Sequence, residues 1–153
     1  EVPSRGLGDV YKRQTYYNSI SKGDFDTVID LMSEDVVFNI IGTGPFSGRW
    51  EGRDRVYEIL VPSLMKSFKP ESIEFAGKWK IMCCDEKRVV GLMTGKAITI
   101  HNKKFETTYC QIFKIQDSKI IEVYEFLDTE LNSNTHDPSN LNAEADDYNM
   151  MRF

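Results

Sequence analysis

Two polar side chains, Gln111 and Glu125, interrupt the apolar faces of neighbouring strand-like segments, and they are the residues best suited to do chemistry. A carboxylate among apolar side chains is costly unless it is partnered, protonated or facing a cavity. The pattern therefore predicts a polar spot inside an apolar pocket. With a period of two, one face of the segment Phe105 to Ile115 carries Phe105, Thr107, Tyr109, Gln111, Phe113 and Ile115, and one face of the segment Lys119 to Asp128 carries Ile121, Val123, Glu125 and Leu127.

Glu125 fits a general acid or base, because apolar neighbours raise the pKa of a carboxyl toward working pH. The alternatives are a carboxylate at the rim of the strand end and one fixed by a Lys or Arg. Gln111 either hydrogen-bonds a substrate carbonyl or satisfies the Glu125 carboxyl, and the sequence leaves both open. A three-residue turn at 116–118 would pair Gln111 with Val123 and Tyr109 with Glu125, which makes Gln111 and Glu125 diagonal neighbours.

A second group of candidates consists of aromatic and apolar residues. Tyr16 is either a core tyrosine with a hydrogen-bonded hydroxyl or, if it meets Glu125 or Gln111, a donor to the ligand. His101 and His136 lack metal-ligand spacing and are predicted to be solvated, so no metal site is expected. Asp128 is predicted to be structural, at the exit of its strand. The residues that could line the pocket are Phe46, Trp50, Trp79, Tyr109, Phe113, Val123 and Leu127.

Helices come first along the chain and strands follow, which predicts an α+β fold. Residues 1–14 lack periodicity and resemble a translated cloning adaptor, so they are set apart as a non-native leader. Residues 15–131 form the predicted domain, and the polar, acidic tail 132–153 is disordered by composition unless it docks on the domain or on a partner. The predicted helices are 15–21, one capped by Asp24 that reaches Met32, and Val56 to Phe68. A strand at 36–41 and a Gly-rich loop at 42–52 precede an antiparallel meander of strands near 72–84, 88–101, 104–116 and 119–129.

Composition narrows the class of protein. A chain of 153 residues fits one domain with its own core. Its net charge of -5, without a dense basic stripe, predicts no nucleic-acid or membrane partner. The cysteines Cys83, Cys84 and Cys110 are odd in number and lack CxxC spacing, so we expect neither disulfides nor zinc but a reducing, cytoplasmic setting.

Five short segments follow one another along the chain: Tyr16-Tyr17, Gly23 to Asp26, Ser33 to Phe38, Gly48 with Gly52 to Asp54, and Lys119 to Thr129. In this order they resemble the SnoaL-like and ketosteroid-isomerase-like proteins of the nuclear transport factor 2-like superfamily. The resemblance covers roughly residues 15–131 and implies a cone-shaped, cystatin-like roll, in which three N-terminal helices pack in a strongly curved antiparallel sheet around a deep apolar pocket, usually as a dimer. That fold hosts isomerases, cyclases, dehydratases, epoxide hydrolases and binders, so it does not fix function.

The resemblance also implies roles for single residues. Tyr16 falls where ketosteroid isomerases place the tyrosine that donates to the enolate oxygen, but Ile40 falls where they keep their aspartate base. Gln111 takes the place of a protonated aspartate in those isomerases and of a histidine in SnoaL-like cyclases. Glu125 falls where the cyclases keep their acidic base. Each acid and base pair of the family is therefore incomplete in this chain.

Two functions follow as expectations. The first is a cofactor-independent enzyme of the isomerase, cyclase or lyase type, in which Glu125 moves a proton on a small apolar carbonyl compound while Tyr16 and Gln111 stabilise the oxyanion. The second is a non-catalytic module that binds a small hydrophobic ligand or forms a dimer. In both, we expect a small apolar ligand and a homodimer joined by the outer face of the sheet.

Overall fold

The computed structural model describes residues 4–148, although of the side chains before residue 14 it describes only that of Tyr11. Helices precede the main strands, and this confirms the predicted α+β fold. The helices are α1 (Ser4–Lys22), α2 (Phe25–Asp30), a π-helical segment (Arg55–Leu60) that continues into α3 (Val61–Met65), and α4 (Thr129–Thr135), with 3-10 turns at Pro70–Ser72 and Pro138–Asn140. The strands are β1 (Met32–Ile40), β2 (Gly48–Glu51), β3 (Glu74–Cys84), β4 (Arg88–Ile98), β5 (Lys104–Gln116) and β6 (Lys119–Phe126).

The strands form one curved sheet of six strands in the order β2-β1-β6-β5-β4-β3. The strands β3 to β6 form the predicted antiparallel meander. The pairing of β1 with β6 is parallel, however, so the sheet is mixed and not purely antiparallel. Strand β2 lies within the segment predicted as a Gly-rich loop, and its Trp50 pairs with Phe38 of β1.

The first two helices differ from the prediction at their ends. Helix α1 begins at Ser4 and not near residue 15, and it ends before Gly23, whose φ of +69° suits glycine. Asp24 caps α2 as predicted, since its side chain accepts from the Thr27 backbone nitrogen at 3.1 Å. Met32 was predicted in this helix but is the first residue of β1. The pairing of Met32 with Ile120 on β6 outweighs the helical spacing of the sequence.

Pro62 shapes the third helix. Proline has no N–H, so the Pro62 nitrogen cannot donate to the carbonyl of Glu58 in an α-helical turn. The preceding Val61 nitrogen instead bonds the Val56 carbonyl, five residues back, which is the wider π-helical pattern. The helix ends at Met65, earlier than the predicted Phe68.

The register observed in the hairpin of β5 and β6 differs from the predicted one. Its turn has two residues, Asp117 and Ser118, both with positive φ, as in the tight turns that suit hairpin twist. The register then shifts between Lys114 and Ile115, where one extra residue bulges from β6. As a result Gln111 pairs directly with Glu125, and the predicted diagonal arrangement is wrong.

The segment after α4 packs on the domain. Backbone hydrogen bonds join Asp146 and Asp147 to Arg49 on the free edge of β2, at 2.7 and 2.8 Å. Ala145 is buried in the core, and so are Asn132 and His136 at the other end of the segment. Residues 132–148 therefore follow the docking alternative and not the disorder that their composition indicates, and the prediction that His136 is solvated is wrong. Residues 149–153 lie outside the described part of the chain.

Candidate active site

A cavity of about 350 Å³ lies between the first three helices and the inner face of the sheet. This volume is at the lower end of what small-molecule sites have. Its opening is marked by Lys22, Gly23 and Phe25, which are exposed residues at the junction of α1 and α2. Apolar walls surround a few polar groups; the apolar residues include Ile20, Val61, Leu64, Met65, Phe75 and Met93, and the interior polar ones are Tyr16, Tyr57, Tyr109, Gln111 and Glu125.

Glu125 projects from β6 into this cavity. Burial raises the pKa of its carboxyl, and the hydrogen bond from Gln111 offsets part of that effect. None of the ion pairs found within residues 4–148 includes Glu125. The carboxyl is thus neither neutralised by a Lys or Arg in the described structure nor fully solvated, which favours the pocket interpretation over the two alternatives.

Gln111 is almost fully buried and holds Glu125 from the opposite strand. Its Nε2 donates to Glu125 Oε2 at 2.7 Å. Its Oε1 is buried and has no hydrogen-bond partner among the described residues. Leaving a buried acceptor unpaired is costly, so Oε1 is a polar atom whose hydrogen-bonding capacity the described residues do not satisfy.

Tyr16 belongs both to the core and to the cavity wall. Its ring packs edge-on against Tyr17 and Phe113, with centroid distances of 5.3 and 5.0 Å. Burial raises its pKa well above the usual range, the charge of Glu125 adds to this, and hydrogen bonding with Gln111 lowers it. The structure thus brings together the three residues predicted to be catalytic.

Two further tyrosines surround the carboxyl. Burial raises the pKa of Tyr109 most, and the charge of Glu125 raises it further. Tyr57 was not predicted: burial, Tyr16 and Glu125 all raise its pKa, and its hydroxyl donates to Met32 Sδ at 3.2 Å. At 100° per residue counted from Val56, Tyr57 lies between Leu64 and Phe68 on the apolar face, so the helical period of the sequence could have indicated its position.

The predicted lining residues divide into three groups. Tyr109 lines the main cavity. Phe46 and Leu127 line a smaller cavity of about 40 Å³ on another side of Glu125 and Tyr109. The remaining four line neither cavity. Trp50, Phe113 and Val123 are fully buried core residues, and Trp79 stacks on Tyr17 with centroids 5.5 Å apart.

Within residues 4–148, no three His, Cys, Asp or Glu side chains are grouped as metal ligands would be. None of the helices described is both long and apolar enough to cross a membrane. The polar side chains in the interior of the cavity supply one carboxyl, one amide and three phenol hydroxyls.

Residues 14–123 match the family model described as the SnoaL-like domain. No curated protein matches the chain. The fold is similar to that of several solved structures, all with low sequence identity. Bal32a from a soil-derived mobile gene cassette has 16% identity and a TM-score of 0.72, over 86% of this chain and 97% of that one. A putative polyketide cyclase from Xanthomonas campestris has 18% identity and a TM-score of 0.68, over 86% and 98%. A putative isomerase from Bacillus subtilis has 13% identity and a TM-score of 0.66, over 86% and 94%.

Proposed function

Because this chain belongs to the SnoaL-like domain family, we propose that it is an isomerase- or cyclase-type enzyme in which Glu125 moves a proton on a small, mostly apolar carbonyl compound. The observation that carries the proposal is the Glu125 carboxyl itself, which lies in an apolar cavity beside Gln111 and Tyr16 with a raised pKa. The similarity in fold to proteins named polyketide cyclase and isomerase supports the reaction class and leaves the substrate open.

The proposed reaction begins with the ionised form of Glu125. The carboxylate removes a proton from the carbon next to the substrate carbonyl, and the electron pair moves onto the carbonyl oxygen as an enolate. A raised pKa makes Glu125 a stronger base than an exposed carboxylate, so it is closer in strength to the weakly acidic C–H group. The neutral Glu125 then returns the proton, either to another carbon of the substrate or to an alkoxide that forms when the enolate carbon attacks a second carbonyl.

The enolate oxygen needs hydrogen-bond donors in a site that excludes most water. Tyr16 supplies an O–H, and Gln111, which donates one N–H to Glu125, supports the Tyr16 hydroxyl by hydrogen bonding with it. Because burial raises the pKa of Tyr16 well above the usual range, its hydroxyl stays protonated near neutral pH and remains a donor there. We propose that the reaction needs no cofactor, since a base and a hydrogen-bond donor to the enolate oxygen suffice for it.

The second candidate function is a binding module without catalysis. It is favoured by Gln111, which stands where the resemblance places the histidine of the cyclases. An amide can orient the Glu125 carboxyl but cannot take up a proton near neutral pH. In this alternative the same cavity holds a small apolar ligand, and the polar groups of its wall orient that ligand.

Proton exchange with solvent distinguishes the two functions without knowledge of the product. The protein is incubated in D₂O with a panel of small cyclic ketones and diketones, and proton NMR follows the loss of the signal next to each carbonyl. Binding is measured in parallel by the change in aromatic fluorescence. The matched control is Glu125→Gln, which keeps the shape of the side chain but removes the base.

An enzyme should catalyse exchange in at least one ketone that it binds, and Glu125→Gln should lower that rate about 100-fold or more while binding survives. Ketones that bind without any exchange would favour the binding module. Exchange that persists in Glu125→Gln would overturn the assignment of the base.

A further inference from the structure

The smaller cavity, of about 40 Å³, lies next to the main one, and Glu125 and Tyr109 belong to the walls of both. Its other polar residues, Asn132 and His136, come from α4 and from the residue that follows it. A water molecule takes up roughly 30 Å³ in the liquid and needs two to four polar partners when it is buried. The cavity has the volume and the polar groups for one water.

His136 is a titratable residue buried among aromatic side chains. It is 6% exposed, and its ring contacts Phe46 and Phe68 with centroids 5.3 and 5.4 Å away. Its Nδ1 lies 2.9 Å from Ser67 Oγ. Burial lowers the pKa of His136 to about 4, so the ring is neutral near pH 7 and has one donor and one acceptor nitrogen. With Nδ1 engaged by Ser67, Nε2 is the nitrogen left to bond a group in the cavity.

Glu125 has the complementary atom. Gln111 donates to its Oε2, which leaves Oε1 for a partner on the other side of the carboxyl. A carboxylate accepts up to about four hydrogen bonds, so one bond from Gln111 satisfies only part of its capacity. Asn132, which is also 6% exposed, adds a third polar side chain to the same small space.

We propose that the smaller cavity is a structural water site, where one water donates to Glu125 and is held by His136 and Asn132, so that the C-terminal segment positions the carboxyl from behind. In our assignment the Ser67 hydroxyl donates to Nδ1, and Nε2–H donates to the water. His136 and Asn132 are then positioning residues, because they reach the ligand only through the water and Glu125.

The titration of Glu125 is simple to interpret, because the other titratable groups that face it do not change charge near pH 7. Tyr16 faces it from α1, Tyr57 from the π-helical segment, and Tyr109 from β5. The pKa values of these three are raised and that of His136 is lowered, so all four are neutral near pH 7. Lys22, the one charged residue among those lining the main cavity besides Glu125, lies at its opening.

The test is a carbon-13 NMR titration of glutamate carboxyls in the ligand-free protein, with the Glu125 signal assigned by its loss in Glu125→Gln. His136→Phe keeps an aromatic ring in place but removes both nitrogens and the hold on the water. A lost hydrogen bond to the charged form should raise the pKa of Glu125 by about one unit. His136→Gln, which keeps a polar end, should restore part of the shift.

Phe105→Leu is the matched control. The ring centroid of Phe105 lies 6.3 Å from that of His136, but Phe105 does not line the smaller cavity. This variant should destabilise the fold without moving the Glu125 titration. An unchanged titration in His136→Phe, or an equal shift in Phe105→Leu, would overturn the proposal.

Should His136→Phe fail to fold, a crystal structure of the unaltered protein decides: a water within hydrogen-bond distance of both Glu125 and His136 supports the site, and a dry cavity refutes it. The water site matters for catalysis only if the proposed function is correct, and to that extent this proposal rests on it. The titration and the crystal structure use no ligand, so a failure of the exchange experiment would not affect their result.

Discussion

Gln111 and Glu125 occupy directly opposed positions on β5 and β6, and the amide of the first donates to the carboxyl of the second at 2.7 Å. This pair is the polar centre of a cavity whose other walls are mostly apolar. Since each side chain is the principal partner of the other, their contributions to stability should be strongly coupled. That coupling can be measured without a substrate.

The first prediction is a double-mutant cycle on this pair. Gln111→Leu should leave the Glu125 carboxyl without its donor, and Glu125→Leu should leave the Gln111 amide without its acceptor, so each should destabilise the protein by about 1–3 kcal/mol. The double variant should lose less than the sum, by a coupling of about 1–2 kcal/mol. Urea unfolding measures all four free energies. Additive losses would show that the two side chains act independently.

The second prediction concerns the tyrosines. Tyr16→Phe should lower the rate of ketone proton exchange about 100-fold, because one donor to the developing oxyanion is lost, while ligand affinity changes little. Tyr57→Phe is the control, since the Tyr57 hydroxyl bonds Met32 Sδ, and its effect should be smaller. The exchange rates of both variants are compared at equal saturation with ligand. Equal losses in the two would mean that Tyr16 has no special role.

The third prediction is a homodimer formed by the outer face of the sheet. Ile112 pairs with Tyr124 and Cys110 pairs with Phe126, and these four half-buried residues form one patch on that face. Such a patch favours association with a second copy. Light scattering should give the mass of a dimer at micromolar concentration, and Ile112→Lys should give a monomer.

Thr108→Lys provides the matched control for the dimer, because Thr108 lies on the same face of β5 beyond the patch. It adds the same charge and should leave the dimer intact. Unaltered protein that scatters light as a monomer would rule out this interface.

The sequence was sufficient to predict the central pair of the site but not its geometry. A period of two along β5 and β6 is enough to place Gln111 and Glu125 on the inner face. Their direct pairing depends on a two-residue turn at Asp117 and Ser118 and on a bulge after it, and neither residue is the glycine that usually marks such a turn. Local pattern cannot reveal a bulge whose position is set by pairing with a neighbouring strand.

The C-terminal segment illustrates a different limit. Its composition is polar and acidic, which is typical of disorder, and the prediction for His136 followed from that. The burial of this segment depends on one local contact and on one set of tertiary contacts. Asp128 caps α4 by accepting from the Leu131 nitrogen at 2.9 Å. The imidazole of His136 packs against Phe46, Phe68 and Phe105, which come from distant segments. Only the cap, an Asp at a strand exit, was visible in the sequence.

The last prediction concerns the dependence of stability on pH. Burial raises the pKa of Glu125 in the folded protein above its value of about 4.3 in the unfolded chain. Between those two pKa values the folded state holds more protons than the unfolded state, so this group makes the free energy of unfolding fall as pH rises through that window. Glu125→Gln cannot ionise and should remove this contribution. The variant should therefore match the unaltered protein near pH 4 and be as stable or more stable at pH 8, by about 1.4 kcal/mol for each unit by which the pKa is raised.

Urea unfolding at a series of pH values tests this, with Glu122→Gln as the control. The Glu122 carboxylate forms an ion pair with the Arg49 guanidinium on the outer face of the sheet, with 3.2 Å between Oε1 and Nη1. Replacing the carboxylate with an amide should therefore lower the free energy of unfolding at pH 8. The two variants should thus change stability in opposite directions at that pH. If Glu125→Gln instead lost stability at pH 8 as Glu122→Gln does, Glu125 would be a structural carboxylate held by a positive charge, and the binding module would become the better account of the cavity.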